Sequence, residues 1–212
     1  MPGLYRTDQE KRDLESRNGA IQFLAVIHHI EEWRPGESKL TPAILQELQR
    51  IAINQIYSCA GSFRDGAVTI QGAAHQPPAQ IEVPALVESM CDYVNENWGK
   101  PPIHLAAYLM WRLNWIHPFF GGNGRTSRAV SYLILCASLG FALPGAQTIP
   151  DQIVAQRGPY FDALQAADAA WANSQLDLSQ MESLLGELLA TQLLSIHNQV
   201  SDQSRKFRLP PK

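Results

Sequence analysis

The stretch HPFFGGNGRTSR, residues 117–128, places three glycines and two arginines directly after a single histidine. Strongly apolar segments with helical spacing lie on both sides of it. Gly121, Gly122 and Gly124 permit backbone conformations that other residues avoid, so successive N–H groups can converge on one anion. The sequence therefore predicts a sharp loop between two buried helices, with an anion-binding site in the loop.

Charged side chains complete this predicted site. The helix after the loop begins near Asn123, so the positive end of its dipole faces the anion. Arg125 and Arg128 are three residues apart on that helix and therefore share a face, where they can bind two further phosphate groups. His117 has the chemistry of a general base for an incoming hydroxyl. Each feature alone is common in a helix–helix turn, but their combination favours a polyphosphate site with a catalytic histidine.

The composition narrows the class of protein. The 212 residues are 45% hydrophobic and 17% charged, enough for one domain with a sizeable core. A net charge of -3 argues against non-specific nucleic-acid binding, and no apolar run approaches the ~20 residues of a membrane span. The first residues have no apolar core of the kind a secretory signal needs, and Cys59, Cys91 and Cys136 show no CxxC spacing. We therefore expect a cytoplasmic protein with reduced thiols and no zinc.

Hydrophobic spacing predicts an all-α chain. The expected helices are residues 8–34, 41–57, 84–98, 102–115, about 123–139, 151–172 and 177–198. Asp8 is a candidate N-cap for the first helix, and Gly140 suits the C-terminal end of the central one. The last helix can contribute to the core or to a homodimer contact.

A segment between the second and third helices differs in character. Arg64-Asp65-Gly66 is typical of a turn, and Val68, Thr69 and Ile70 belong to a short predicted strand that Gly72 and Pro77-Pro78 end. A lone β-hairpin is stable only when it rests on a helical body or covers a ligand. We therefore expect a small hairpin flap on an otherwise helical protein.

HPFFGGNGRTSR resembles the signature of the Fic (Fido) family, H-P-F-x-[D/E]-G-N-G-R-x-x-R, and matches eight of its nine specified positions. The upstream GSFRDGAVTIQGAAHQPP, residues 61–78, is similar to the flap hairpin of that family. The resemblance covers roughly residues 41–170. It implies an all-α, Fic-type helical bundle that transfers AMP from ATP to a Ser, Thr or Tyr hydroxyl of a target protein.

The resemblance also implies roles for individual residues. His117 would be the base, and Asn123 with the backbone of Gly122 and Gly124 would hold the α-phosphate. Arg125 and Arg128 would hold the outer phosphates. The flap residues Val68, Thr69 and Ile70 would lie over the nucleotide and align the target segment, although simple edge-strand packing explains them equally well.

Gly121 is the departure from the signature. In the family an acidic residue holds Mg²⁺ at this position, and glycine has no side chain to bind a metal, so Mg²⁺ would be weakly placed and no side-chain metal ligand is predicted. Three outcomes follow: slower AMP transfer, another phosphate-containing donor, or no catalysis with binding retained. The alternative function is thus a degenerate Fic-fold module that binds a nucleotide or a phosphate ligand.

Two residues outside the signature have competing interpretations. Many Fic proteins carry an inhibitory helix whose Glu pairs with the second Arg of the signature, here Arg128. Glu15 is the candidate, but KRDLESRNG matches the inhibitory pattern poorly and a solvated helix face is the competing interpretation. Tyr160 resembles a family position near the base pocket, and helix packing also explains it.

The expected division of the chain has four parts. Residues 1–40 form an N-terminal helix with a candidate regulatory role, and residues 41–172 form the catalytic core. Residues 173–200 form a C-terminal helix, and residues 201–212 form a flexible tail.

Overall fold

The protein is a bundle of helices arranged around one central pair. The computed structural model describes residues 3–145 and 147–206, with side chains through residue 195. Within these ranges the α-helices are α1 Asp8–Glu32, α2 Pro42–Ala52, α3 Val83–Glu96, α4 Pro102–Ile116, α5 Asn123–Leu139, α6 Ile149–Ala155, α7 Arg157–Ala172 and α8 Ser179–Lys206. A single turn of 3-10 helix, Gln80–Glu82, precedes α3.

Helices α4 and α5 form the centre of the core. Each is apolar around most of its circumference, and they make the most extensive helix–helix contact in the described part of the chain. Leu105, Leu109 and Leu113 of α4 are fully buried, as are Val130 and Leu133 of α5. An all-round apolar helix belongs in the interior, so the predicted central pair with its connecting loop is confirmed.

Helix α1 packs across α2 and α5. Two of its polar side chains are buried in that contact: Asn18 donates to the Asn54 carbonyl at 2.7 Å, and Gln22 donates to the Leu48 carbonyl at 2.9 Å. The Leu48 carbonyl lies in the second half of α2 and the Asn54 carbonyl lies just beyond its C-terminal end, so both bonds join α1 to this end of α2. They fix the position of α1 over the loop that precedes α5.

The ends of α1 and α5 have the expected type of capping residue, but the N-cap of α1 lies one residue earlier than predicted. The N-cap of α1 is Thr7, whose hydroxyl accepts the Glu10 N–H at 3.1 Å, so the assignment to Asp8 was wrong by one residue. Gly140 ends α5 in the left-handed conformation at φ 84°, as predicted.

Two predicted helices are shorter than expected. Helix α2 stops at Ala52, and the chain turns through residues 53–56. The predicted helix 151–172 is two helices, α6 and α7, separated at Gln156. Pro159 explains the break, because its ring would clash with the carbonyl of Ala155 in a continuous helix and it has no N–H to donate.

The β-hairpin expected around residues 67–70 is not seen. These residues have no regular secondary structure, no β-strand occurs within residues 3–145 and 147–206, and the Ala73 N–H donates to the Ile70 carbonyl at 3.2 Å as part of a turn. The returning limb contains Pro77 and Pro78, which cannot donate to a strand ladder. The segment is an irregular loop rather than a paired flap.

Helix α8 packs against α4, α6 and α7. It continues to Lys206, so part of the predicted tail is helical, while residues 207–212 lie outside the described residues. In the ranges that the structure covers, no helix combines the length and the apolar character needed to cross a lipid bilayer.

Candidate active site

A cavity of about 820 Å³ opens at the loop between α4 and α5. This volume is in the range of about 300–1,000 Å³ that is usual for small-molecule sites. The predicted residues in its wall are His117, Gly122, Gly124, Arg125, Arg128, Ile70 and Glu15. The remaining predicted residues, Gly121, Asn123, Val68 and Thr69, are not part of the wall. The structure therefore brings seven of the predicted residues together around one cavity.

His117 lies at the point where α4 ends. It adopts the left-handed conformation, with φ 50° and ψ 57°, and its N–H still donates to the Leu113 carbonyl at 2.9 Å. Burial lowers the pKa of His117 to about 4, against a weaker opposing effect of the Asn114 carbonyl, 3.4 Å from Nδ1. The positive charge of Arg64 lowers this pKa further. The imidazole is therefore neutral near pH 7 and able to accept a proton.

The two neighbouring glycines at 121 and 122 have different structural needs. Gly122 is the N-cap of α5 at φ 79°, and a Cβ there would lie 2.7 Å from Cγ2 of Ile53. Gly121 is outside the left-handed region, and its Cβ would meet Cε2 of Tyr57 at 3.4 Å, an ordinary contact. Only Gly122 is required to be glycine by backbone geometry.

Asn123 closes the loop on itself. Its Oδ1 accepts the Phe119 N–H at 3.0 Å, and its Nδ2 donates to the Phe119 carbonyl at 2.8 Å. The side chain is 2% exposed. Both polar atoms are thus used within the protein, and the amide shapes the loop from behind the cavity.

Arg125 and Arg128 both reach the cavity from the first turns of α5, and burial lowers the pKa of each guanidinium from its ordinary value. Arg125 donates to the Ala52 carbonyl at 2.9 Å and forms an ion pair with Glu15 at 3.3 Å. Arg128 bonds to the hydroxyl of Tyr160. The ion pair corrects the expectation from the resemblance, which would place Glu15 opposite Arg128. Glu15 lines the cavity and its side chain remains 37% exposed, so the ion pair lies on a partly solvated face of α1.

Tyr160 both lines the cavity and packs between helices, which are the two interpretations that its sequence position allowed. It lines the cavity, yet it is only 3% exposed, and its hydroxyl accepts from Asn114 Nδ2 at 2.9 Å. Asn114 also donates to Ser127 Oγ at 2.8 Å. This network joins the end of α4, the start of α5 and α7, and it holds the side chain of Arg128.

Arg64 is the main residue that the sequence prediction missed. Its side chain is buried, at 3% exposure, and it donates to the carbonyls of His117 at 2.8 Å, Gly66 at 3.1 Å and Pro78 at 2.6 Å. Its own N–H donates to the Pro118 carbonyl at 2.8 Å. The guanidinium therefore fastens the loop 66–78 to the loop that carries His117.

Further wall residues were also missed. Arg157 of α7 adds a third cation to the cavity, while Trp115 and Asp168 belong to its wall as well. His75 bonds to the Trp115 carbonyl at 2.8 Å and its ring packs on the indole at a centroid distance of 5.3 Å. No sequence pattern distinguished these residues, because they come from three separate segments: the loop 66–78, α4 and α7.

Comparison with known proteins agrees with this fold. The sequence model of the Fic/DOC family matches residues 39–135. The protein adenylyltransferase Fic of Drosophila willistoni is 33% identical over 74% of this chain and 30% of its own length. That of Drosophila persimilis is 31% identical over 91% of this chain and 41% of its own length. The chain thus spans less than half the length of these curated relatives.

Solved structures show the same fold. Fic-1 (residues 134–508) from C. elegans superposes with a TM-score of 0.68 at 21% identity, covering 93% of this chain and 54% of that one. A Fic family protein from Desulfovibrio desulfuricans G20 gives a TM-score of 0.64 at 22% identity, and the match covers 94% of this chain and 56% of that one. At these identities the likeness concerns the fold alone.

The two glycines provide a matched test of the loop. We expect Gly122→Ala to lower the free energy of unfolding by about 2–4 kcal/mol, because it combines left-handed strain with a clash against Ile53. Gly121→Ala should change it by less than about 1 kcal/mol. Urea unfolding of both variants measures the difference. Equal destabilisation by the two substitutions would contradict the assigned loop geometry.

Proposed function

We propose that this chain is a protein adenylyltransferase. Its residues 39–135 belong to the Fic/DOC family. It would transfer AMP from ATP to a Ser, Thr or Tyr hydroxyl of a target protein. The observation that carries this proposal is the neutral His117 at the wall of a cavity that also contains the start of α5 and two arginines. A base and an anion site thus face the same space.

The proposed reaction is a single displacement at phosphorus. His117 takes the proton of the target hydroxyl, whose oxygen forms a bond to the α-phosphorus of ATP. The bond from that phosphorus to the bridging oxygen breaks, and pyrophosphate leaves. Charge that develops on the phosphate oxygens is stabilised by the free N–H groups at the start of α5, which need no reorganisation during the reaction.

The arginines would bind the outer phosphates. Arg125, Arg128 and Arg157 all line the cavity, so three cations meet a leaving group of high negative charge. We propose that Asn123 acts indirectly, by holding the loop through Phe119 rather than by contacting the α-phosphate with its side chain.

The loop 66–78 would position the target. Ile70 lines the cavity, and residues 67–70 belong to no strand in the described part of the chain. Backbone groups of residues 67–69 would pair with an extended segment of another protein, as in β-strand addition. On this proposal Val68 and Thr69 contribute through their backbone, and the flap becomes a paired strand when the target is bound.

The residues present do not fit a carboxylate-bound Mg²⁺. Position 121 is glycine, and the two carboxylates of the cavity wall are engaged: Glu15 pairs with Arg125, and Asp168 accepts from Trp111 Nε1 at 2.8 Å. The described residues also contain no cluster of three or more His, Cys, Asp or Glu arranged around a metal position. The protein's own charge compensation therefore comes from the arginines and the start of α5.

The first test of the function is His117→Ala. Loss of the base should reduce transfer of label from α-³²P-ATP to protein by about 100-fold or more, while ATP affinity changes only a few-fold. His28→Ala on the exposed side of α1 is the matched control and should behave as wild type. Equal loss of binding and transfer would contradict the role as base. A wild-type protein that binds ATP but transfers no label would support the degenerate binding module instead.

Glu15 provides a test of regulation by α1. Glu15→Gly should raise transfer by about two- to fivefold, because it frees Arg125 for phosphate and removes a negative charge from the cavity wall. Asp13→Gly, an exposed position on the same helix, controls for the cost of glycine in α1. Initial rates at sub-saturating ATP are the measurement. If the two variants have the same rate, Glu15 has no inhibitory role.

Gly121→Asp tests the departure from the family signature. The position tolerates a side chain, since its φ is not left-handed and Tyr57 is at contact distance. We expect about a tenfold increase in Mg²⁺-dependent transfer, because a carboxylate is the ligand that this cation prefers. Gly121→Asn has the same shape without the charge and should give no such increase. Equal rates for Asp and Asn would show that position 121 is not a lost metal ligand.

A further inference from the structure

A second cavity of about 750 Å³ lies on the other side of the Glu15–Arg125 ion pair. It is bounded by α1, α5 and α6, and we call it the α1–α6 cleft. Glu15, Arg125 and Arg128 line both this cleft and the cavity around His117. The three charged side chains are therefore a wall between two spaces, each large enough for a small molecule.

The body of the cleft is apolar. Its sides include Ala20, Phe23 and Val26 from α1, Ala129 from α5 and Pro150 from α6. Phe23 packs against the ring of Tyr132 at a centroid distance of 6.4 Å and remains 40% exposed. A large exposed aromatic side chain beside an apolar slot favours an apolar ligand in the slot.

Three of the four charged side chains that line the cleft lie at the shared wall. Two cations, Arg125 and Arg128, face one anion, Glu15, at the shared wall. The other carboxylate, Asp151, is engaged in the first turn of α6, where it accepts from the Thr148 hydroxyl and its N–H donates back to that oxygen. The net charge at the wall is thus positive, and it complements a single anionic group.

We propose that the α1–α6 cleft binds a small anionic amphiphile, with a phosphate or carboxylate head group at Arg125 and an apolar body between Phe23, Val26 and Pro150. The head group replaces Glu15 as the partner of Arg125, so the ligand alters the wall of the His117 cavity from behind. The proposal concerns binding, and it holds whether or not the chain transfers AMP.

Isothermal titration calorimetry of the full chain with decyl phosphate, below its micelle concentration, tests this site. Decanol lacks the negative charge and inorganic phosphate lacks the alkyl group, so each should bind at least about tenfold more weakly than decyl phosphate. Decanoate distinguishes a carboxylate head group from a phosphate. Arg125→Met should reduce the affinity for decyl phosphate to that for decanol.

Cavity-filling variants locate the bound molecule. Gly19→Leu should lower the affinity for decyl phosphate by about tenfold or more, because the leucine side chain would fill part of the cleft. Gly19 lines the cleft, and a Cβ there meets no atom within 4 Å. Ile21→Leu, exposed on the same helix and outside both cavities, is the matched control. Gln165→Trp narrows the His117 cavity and should leave the affinity unchanged.

The outcomes separate the alternatives. Loss of binding in Gly19→Leu alone supports the cleft. Loss in Gln165→Trp alone would place the amphiphile in the His117 cavity and overturn the proposal. Wild-type affinity in both variants, or equal affinity for decanol and decyl phosphate, would also overturn it. Thermal melts of each variant show that the fold is retained.

Discussion

The site depends on one buried cation, the guanidinium of Arg64. Helix α4 ends with His117 in the left-handed conformation, so its last carbonyls turn away from the helix and need donors. Arg64 supplies them, with a bond of 2.8 Å to the carbonyl of His117, and it binds the carbonyls of Gly66 and Pro78 at the same time. Burial lowers the pKa of Arg64, yet the carbonyl dipoles compensate the charge. One side chain thus fixes both the base and the loop above it.

A second constraint acts on the other side of the same loop. Between His117 and α5 the chain must reverse within a few residues, and it does so through the left-handed Gly122 and the two bonds of Asn123 to Phe119. These contacts leave the N-terminal N–H groups of α5 without side-chain caps. The loop is therefore rigid because of groups behind it, and its front remains available to an anion.

The sequence predicts those features that depend on local or periodic patterns. The spacing of apolar residues located the helices, and the glycine-rich stretch located the cavity with His117, Arg125 and Arg128 in its wall. Arg64 escaped prediction because its partners are backbone carbonyls, which no residue pattern marks. The break before α7 follows from Pro159 and could have been predicted from proline geometry alone.

Other errors arose because tertiary packing decides the outcome. The β-branched run at 68–70 favours a strand, but a strand requires a partner with free N–H groups, and Pro77 and Pro78 occupy the returning limb. The arginine that meets Glu15 depends on the angle at which α1 crosses α5, which is set by the buried bonds of Asn18 and Gln22. The choice of arginine cannot be read from the residues of α1 alone.

The same two buried bonds determine how the Glu15–Arg125 wall can open. Both side chains of the pair are partly solvated, with exposures of 37% for Glu15 and 26% for Arg125, so the pair contributes about 0–1 kcal/mol. Helix α1 is held instead by Asn18 and Gln22, whose buried amides would be costly to leave unpaired. An anion that binds Arg125 from either cavity therefore needs to displace only the carboxylate of Glu15, and α1 can stay in place. The Glu15–Arg125 ion pair is weak, whereas the buried hydrogen bonds of Asn18 and Gln22 are strong. Exchange of partners at Arg125 can therefore occur within an unchanged fold.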